Sequence, residues 1–388
     1  MRFARPRLAV ISTALLCSVS VLAPLPGGLP ASGVRPTPSG VARPVTPEVQ
    51  EVSVPEADRP QVPTLAAKSV PRSAEGYAVV GATWLGRPPR GLRLTVRSRD
   101  GGSWSAWTEL HRSHGRDASS LKARRVRRGT DPLAVGEVDA VQLRATSATG
   151  TAPRDLELSV IDPGRSASDG DADGDAVRLV NTVATADVAS NEEVEVAGVR
   201  APRPYIRSRA AWGADDRMRS SSPQYGRVTA GFVHHTVNVN RYTRADVPAI
   251  LRGIYAYHTQ SLGWSDIGYN FVIDRFGRKW VGRAGGPRRA VIGAQVYGYN
   301  HLSTGIATIG NFETSAPPME MQRAVGRMLA WKLGFHGVRV GGRMRWMEGE
   351  RFRAVNGHRD AGATACPGIK LYRRLPDIRE IAIRWQQR

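Results

Sequence analysis

The chain has 388 residues, which is enough for two ordinary domains. Lys and Arg outnumber Asp and Glu by 55 to 34, so the formal net charge is +21. Beyond the first residues no apolar run is long enough to cross a bilayer, which excludes any later membrane span.

The positive charge is carried almost entirely by arginine. Such a charge favours polyanionic surfaces, among them cell-wall polymers and anionic lipid, with nucleic acid as the rival partner. The sequence contains no zinc-finger spacing, no aromatic RNA-binding signature and no obvious recognition helix. We therefore predict anionic cell-wall polymers rather than nucleic acid as partners. An arginine-rich surface without a specific partner explains part of the charge equally well.

Residues 1–31 have the pattern of a secretory signal peptide. A basic start, MRFARPR, is followed by the apolar run LAVISTALLCSVSVLAPL and by small residues up to a candidate cleavage site near Ala31. A membrane anchor is the weaker alternative, because Ser and Thr interrupt the apolar run and Pro ends it. The sequence thus predicts a secreted protein without a stable membrane anchor.

Removal of this leader would take away Cys17 and leave Cys366 as the only thiol. One cysteine cannot form an internal disulfide. Cys366 is therefore a reactive thiol, an intermolecular link, a buried apolar residue or a metal ligand.

Two segments with linker composition flank a region of short alternating runs. Residues 32–74 are rich in Pro, lack periodicity and predict a linker. Runs such as YAVVGATWL, LRLTVRSRD and LELSVID predict an antiparallel all-β module over residues 75–163. Residues 164–203 are again polar and small, and they predict a second linker.

The second linker contains a partial match to the EF-hand calcium-binding loop. Asp169, Asp171 and Asp173 stand at the spacing of the first EF-hand ligands and are followed by Gly174. The twelfth position, which needs Glu, is Val180. An acidic linker is therefore the favoured interpretation, and calcium binding is the lesser alternative.

Residues 204–388 show the mixed pattern of an α/β domain. RVTAGFVHHTV predicts a buried strand, YNFVIDRFGRKWVGR predicts two strands joined by a turn, and TGIATIGNF predicts another strand. TRADVPAILRGIYAYHTQSLG, PMEMQRAVGRMLAWKLG and LYRRLPDIREIAIRW predict helices. We predict a central mixed sheet flanked by helices, preceded by the all-β module.

This C-terminal domain contains a candidate zinc site. Catalytic zinc sites use three protein ligands drawn from His, Cys and carboxylate and leave one position for water. His234 or His235 lies at the end of a predicted strand, and His358 and Cys366 lie in one loop. The separation of eight residues in that loop is weak evidence by itself. Each histidine is also compatible with an ordinary core or surface position.

Several motifs in order carry a resemblance to a known family. They are RAAWGAD, FVHHT, GWSDIGYNFVID, VIGAQVYGYN, GIATIGNF and GHRDAGATACPG, spread over residues 207–376. This part of the chain resembles the peptidoglycan recognition proteins, which are related to type 2 N-acetylmuramoyl-L-alanine amidases and to the phage T7 lysozyme-type amidase. The all-β module, through GTDPLAVGEVDAVQLR, is more loosely similar to an N-terminal domain of secreted actinobacterial members.

The resemblance implies an amidase domain over residues 204–388 with zinc as its cofactor. The zinc ligands fall on His234, His358 and Cys366. Because neighbouring residues of a strand point to opposite faces, His235 is expected to face away from the metal. Asp360 is a candidate to anchor a ligand histidine, with an ion pair inside the loop as the alternative.

The resemblance also places the residues that would act on substrate. The catalytic positions fall on Tyr269 and Thr364, and the groove positions are Gln295, Asn300 and His301. Gln295 departs from the family, which commonly has His in its place. The segment GRAGGP matches neither usual pair of specificity residues, so the preferred stem peptide is left open.

The function implied is a secreted, cell-wall-associated, zinc-dependent amidase that hydrolyses the bond between N-acetylmuramic acid and L-alanine of peptidoglycan stem peptides. The main alternative is a non-catalytic peptidoglycan-binding protein that uses the same groove. A third is a polyanion-binding envelope protein with a vestigial amidase fold. Members that only bind typically lack the cysteine, so the presence of Cys366 favours the enzyme.

Overall fold

A computed structural model describes residues 43–56, 65–113, 115, 117, 127–170, 199 and 201–387. The predicted signal peptide lies outside the described residues, as do four of the residues considered for calcium, namely Asp171, Asp173, Gly174 and Val180. Within the described part of the chain, no helix is both long and apolar enough to cross a membrane.

In the described residues of the N-terminal module the regular elements are strands, apart from one short 3₁₀ turn at Ala167–Asp169. Its strands are β1 (Glu48–Ser53), β2 (Leu65–Lys68), β3 (Arg72–Trp84), β4 (Arg93–Asp100), β5 (Ser103–Trp104), β6 (Thr108–Leu110), β7 (Arg128–Gly129), β8 (Leu133–Thr146) and β9 (Glu157–Asp162). They pair antiparallel in the order β1-β9-β3-β8-β4-β5, with β2 beside β8, β6 beside β4 and β7 beside β3. This confirms the predicted all-β module.

The module begins earlier than its composition predicted. β1, β2 and the first residues of β3 lie inside residues 32–74, the segment predicted as a linker. Only the two valines of β1, Val49 and Val52, are partly covered. Because β1 pairs with β9 at the edge of the sheet, no run of buried residues marks this strand in the sequence.

The C-terminal domain has a mixed sheet with helices on both faces. Its strands are β10 (Ala230–His235), β11 (Phe271–Ile273), β12 (Lys279–Val281), β13 (Ser303–Thr308), β14 (Arg345–Met347), β15 (Glu350–Phe352) and β16 (Val355–Gly357). Its helices are α1 (Asp246–Ala256), α2 (Met319–Phe335), α3 (Ile369–Tyr372) and α4 (Leu375–Gln386). The main sheet has the order β12-β11-β13-β10-β16, and its strands are parallel except for β12.

Alternate residues of the central strands face different helices. Val272 and Ala307 belong to the apolar cluster that contains α1, whereas Val233 and Ile306 belong to the cluster that contains α2 and α4. A parallel strand covered on both faces is buried along its whole length, and every residue of β10 is buried. The predicted mixed sheet flanked by helices is confirmed.

The β module and the C-terminal domain share one apolar core. Val79 and Ile161 of the β module lie in the same buried cluster as Ile250 and Ile254 of α1. Glycines allow the close approach at this contact. A Cβ on Gly253 would stand 2.3 Å from a methyl group of Val79.

A buried arginine joins the two parts as well. Arg252 of α1 is 0% exposed and donates to the backbone oxygens of Pro163 and Gly164 and to the carboxylate of Asp169 at 2.7 and 2.9 Å. Residues 164–170, predicted as the start of the second linker, therefore pack against α1. The composition of the segment does not reveal this contact, because Arg252, the partner of Asp169, lies 83 residues further along the chain.

Candidate metal centre

The register of two parallel strands brings two histidines together. β10 and β16 run side by side with Val233 opposite Gly357. The next residues, His234 and His358, therefore leave the carboxyl ends of neighbouring strands, and their ring centroids are 4.6 Å apart. In open α/β sheets, ligands bind at this end of the strands.

A short loop returns the cysteine to the same place. The backbone N–H of Arg359 donates to the carbonyl of Cys366 at 3.0 Å, and the N–H of Cys366 donates to Thr364 Oγ1 at 3.2 Å. These bonds close the loop and place Cys366 Sγ 3.6 Å from His234 Nδ1. One ligand atom each from His234, His358 and Cys366 lies within 4.8 Å of the others, and all three residues are buried.

This donor set fits zinc. Tetrahedral zinc with its usual bond lengths to sulfur and nitrogen holds those two atoms about 3.6 Å apart. The Sγ–Nδ1 distance between Cys366 and His234 has this value without adjustment. The other ring nitrogen of His234, Nε2, lies 2.6 Å from Gln295 Oε1. Because an amide oxygen only accepts, Nε2 carries the proton and Nδ1 keeps its lone pair for a metal.

The electrostatics of the ligands agree with their geometry. Burial lowers the pKa of His234 to about 4, so its ring is neutral at physiological pH, as a metal ligand must be. Burial raises the pKa of the Cys366 thiol, while the backbone N–H of His235 at 3.4 Å favours its thiolate. A coordinated zinc ion deprotonates such a thiol outright.

His235 lies on the other side of the strand. It is 3% exposed, and its Nδ1 accepts a hydrogen bond from the backbone N–H of Phe312 at 3.3 Å. This arrangement follows from the alternation of side chains along β10.

Tyr269 lies beside the three candidate ligands. Its ring centroid is 5.6 Å from that of His234, and its side chain is largely buried. Burial raises the pKa of the Tyr269 hydroxyl, so the group stays protonated and can donate.

Two other residues of the 358–366 loop hold its shape. Thr364 is partly exposed and supports the backbone of Cys366 through Oγ1. Asp360 accepts from the backbone N–H of Gly357 at 2.8 Å and from the hydroxyl of Tyr372 at 2.5 Å. Asp360 thus fixes the start of the loop that carries His358.

The side chains of Gln295 and Asn300 bond other groups of the protein, and a contact of either residue with substrate stays a prediction. Gln295 is 2% exposed, and its amide bonds His234 on one side and Ser303 Oγ on the other. The side-chain oxygen of Asn300 accepts from two backbone N–H groups, those of Gln295 and Val296. Both side chains are turned inward because they satisfy buried polar groups of the site itself.

His301 keeps an exposed position. Its Nε2 lies 3.1 Å from Glu348 Oε1, and about half of each side chain is open to solvent, at 49% and 55%. A contact between His301 and substrate stays a prediction.

Sequence reasoning missed a carboxyl group that the β module contributes. Asp131 lies just before β8, and its backbone N–H donates to the carbonyl of His111 at 2.8 Å. Surrounding protein raises the pKa of this carboxyl to about 7, and its charge in turn raises the pKa of Tyr269 and of Cys366. No local signal in the sequence marks Asp131, since the two groups whose pKa it raises belong to the C-terminal domain.

Comparison with known proteins bears on both parts of the chain. Residues 36–166 match a family described as "Rv3811 N-terminal galactose-binding domain-like", and residues 224–369 match the family "N-acetylmuramoyl-L-alanine amidase". The chain is 31% identical over 171 residues to peptidoglycan-recognition protein SC2 of Drosophila simulans, covering 44% of this chain and 84% of the relative. The chain belongs to the peptidoglycan-recognition protein family.

Other relatives agree over the same region. Peptidoglycan-recognition protein SC1a of Drosophila melanogaster is 30% identical over 172 residues, which cover 44% of this chain and 84% of the relative. The solved structure of Drosophila PGRP-LB is 28% identical and covers 44% of this chain and 92% of that one, with a TM-score of 0.37. Family membership supports peptidoglycan binding or amidase activity for the C-terminal domain.

Proposed function

We propose that this protein is a secreted, zinc-dependent amidase that hydrolyses the bond between N-acetylmuramic acid and L-alanine of peptidoglycan stem peptides. The observation that carries the proposal is the convergence of His234, His358 and Cys366, whose ligand atoms lie within 4.8 Å of one another. Family members that bind without catalysis typically lack the cysteine. Its presence here, 3.6 Å from His234 Nδ1, supports the enzyme over the binding protein.

The residues of this chain would divide the work as follows. Zinc, when bound, supplies a Lewis acid that polarises the amide carbonyl and activates water. Gln295 holds His234 in the tautomer that leaves Nδ1 free. Tyr269 keeps its proton and donates to the oxygen on which charge develops, and loss of one such donor typically costs about 10²- to 10³-fold in rate. Thr364 keeps the cysteine loop in place.

The remaining features support a substrate outside the cell. The signal-peptide pattern of residues 1–31 predicts export. The net charge of +21 favours association with the anionic polymers of a cell wall. Peptidoglycan is therefore both the substrate and the main partner in this proposal.

Digestion of purified peptidoglycan tests the proposal. The wild-type protein is compared with Cys366→Ser, and the products are analysed by mass spectrometry for free stem peptides that begin with L-alanine. We expect the wild type to release them, a chelator to stop the release, and the variant to fall to background, because Ser is a poor zinc ligand. Circular dichroism of Cys366→Ser checks that the variant is folded.

Peptidoglycan sedimentation provides the counter-test. If both proteins leave muropeptides intact yet still bind the polymer, the enzyme reading is wrong and the protein is a binding module. If neither binds nor cleaves, the groove has another ligand.

A further inference from the structure

A buried carboxylate of the β module reaches into the C-terminal domain beside the candidate site. Asp117, in the segment after β6, is 4% exposed. Its Oδ2 accepts from the backbone N–H of Ser265 at 2.8 Å, from Ser265 Oγ at 2.5 Å and from Arg283 Nη2 at 2.8 Å. Hydrogen bonds to an ionised, buried acceptor are among the strong ones.

Arg283 extends this contact along the loop that ends in Tyr269. Its side chain donates to Ser265 Oγ at 2.7 Å and to the carbonyl of Ile267 at 3.2 Å. Its backbone N–H donates to the carbonyl of Tyr269 at 2.9 Å. The loop 264–269 is therefore held at Ser265, Ile267 and Tyr269 by a network that includes Asp117.

The same segment of the β module also packs closely against the loop 264–269 at a second point. A Cβ on Gly115 would lie 2.4 Å from the carbonyl oxygen of Ala294 and 2.6 Å from the ring of Trp264. Ala294 directly precedes Gln295, which bonds His234, and its N–H donates to the carbonyl of Gly268 at 2.9 Å. Residues 115 and 117 thus touch both loops that border the candidate metal centre.

We propose that the β module is part of the catalytic unit and that Asp117 is a positioning residue for Tyr269. This inference rests on the amidase function proposed above. Asp117 acts through Ser265 and Arg283, which set the path of the loop and hence the place of the Tyr269 hydroxyl relative to substrate. A misplacement of about 1 Å in a catalytic group can cost about 10²-fold in rate.

The test uses the purified, zinc-loaded protein and a soluble muramyl peptide. Asp117→Asn removes the charge and keeps the shape, whereas Ser265→Ala removes one donor and keeps the Asp117–Arg283 pair. Asp139→Asn is the matched control, because it breaks an exposed ion pair of the same module, that with Arg99. For both test variants we expect kcat to fall about 10- to 100-fold with little change in KM.

Two readouts separate positioning from general damage. Zinc content should stay at the wild-type level, and hydrogen exchange measured by mass spectrometry should rise in residues 264–269. The control should match the wild type in both readouts and in kcat. A general loss of stability would not lower kcat and raise exchange in residues 264–269 alone. Unchanged KM and zinc content would show that the groove and the metal site are intact.

The inference is overturned if Asp117→Asn keeps wild-type kcat and wild-type exchange in residues 264–269. If this variant does not fold, Ser265→Ala decides in the same way. If the wild type itself has no amidase activity, the proposed function fails, and hydrogen exchange still decides whether Asp117 holds the loop.

Discussion

At the scale of single residues, Gln295 shows how one amide can orient a candidate metal ligand. Its oxygen accepts from His234 Nε2 at 2.6 Å, and its nitrogen donates to Ser303 Oγ at 3.0 Å. The second bond orients the amide, so that the oxygen faces the histidine. Partners of this kind fix the tautomer and the direction of a ligating histidine.

Replacing Gln295 should therefore weaken zinc binding while leaving the three ligands in place. For Gln295→Leu, which keeps the volume, we expect zinc affinity to fall about 10- to 100-fold. Competition with a chelator of known zinc affinity measures the change. Gln260→Ala, at an exposed position, serves as the control. An affinity of Gln295→Leu within twofold of wild type would contradict this role.

At the scale of elements, the contact between α1 and β3 depends on a glycine inside the helix. Gly253 is a poor helix former, yet it lies in the middle of α1. Its missing side chain leaves room for Val79 of β3, whose methyl group would stand 2.3 Å from a Cβ. Packing between the two modules, rather than helix propensity, explains the residue.

Gly253→Ala should destabilise the protein although alanine favours a helix by about 1 kcal/mol. Overpacking at the Val79 contact should outweigh that gain and lower the free energy of unfolding by about 1–3 kcal/mol, as measured in urea. Adding Val79→Ala removes the opposing methyl groups, so the double variant should lose less than the sum of the single losses. If the losses in the free energy of unfolding were strictly additive, or if Gly253→Ala were more stable than the wild type, the close packing of Gly253 against Val79 would be refuted.

At the scale of the whole molecule, the β module and the C-terminal domain are built as one folding unit. They share the apolar cluster around α1, and Arg252 binds residues 163–169 from within it. An arginine that is 0% exposed depends on its partners, because an unpaired buried charge is very costly. Neither part would keep its buried surface covered without the other.

We therefore expect one cooperative unfolding transition for the described modules. Arg252→Ala should lower the free energy of unfolding by about 3–5 kcal/mol, because Asp169 and the carbonyl groups of Pro163, Gly164 and Trp212 lose their partner. Tryptophan fluorescence and far-UV circular dichroism should shift together in a urea titration. The exposed pair of Arg93 with Glu109 supplies the control, and Arg93→Ala should leave the midpoint unchanged. Two separate transitions in the wild type would contradict a shared core.

The ordered motifs of the C-terminal half determined the family, the fold class and the candidate ligand set without any coordinates. Their information is local: alternation marks strands, a 3.6-residue period marks helices, and GHRD and TACPG stand in one loop. These patterns survive in a single sequence because each depends on neighbours a few residues away. The strand at 48–53 escaped detection because an edge strand with few covered residues has no such pattern, and the strand at 65–68 because its four residues are too short a run.

Only the tertiary structure decided which way the polar side chains around the site point and which distant residues they contact. It turned Gln295 and Asn300 inward to support the site, and it brought Asp117 to Ser265 across 148 residues of chain. Contacts at such separations depend on how the β module packs against the C-terminal domain. No periodicity or spacing in the sequence indicates that packing. The candidate ligands could therefore be named from the sequence, whereas the contacts that support them follow from the packing of the β module on the C-terminal domain.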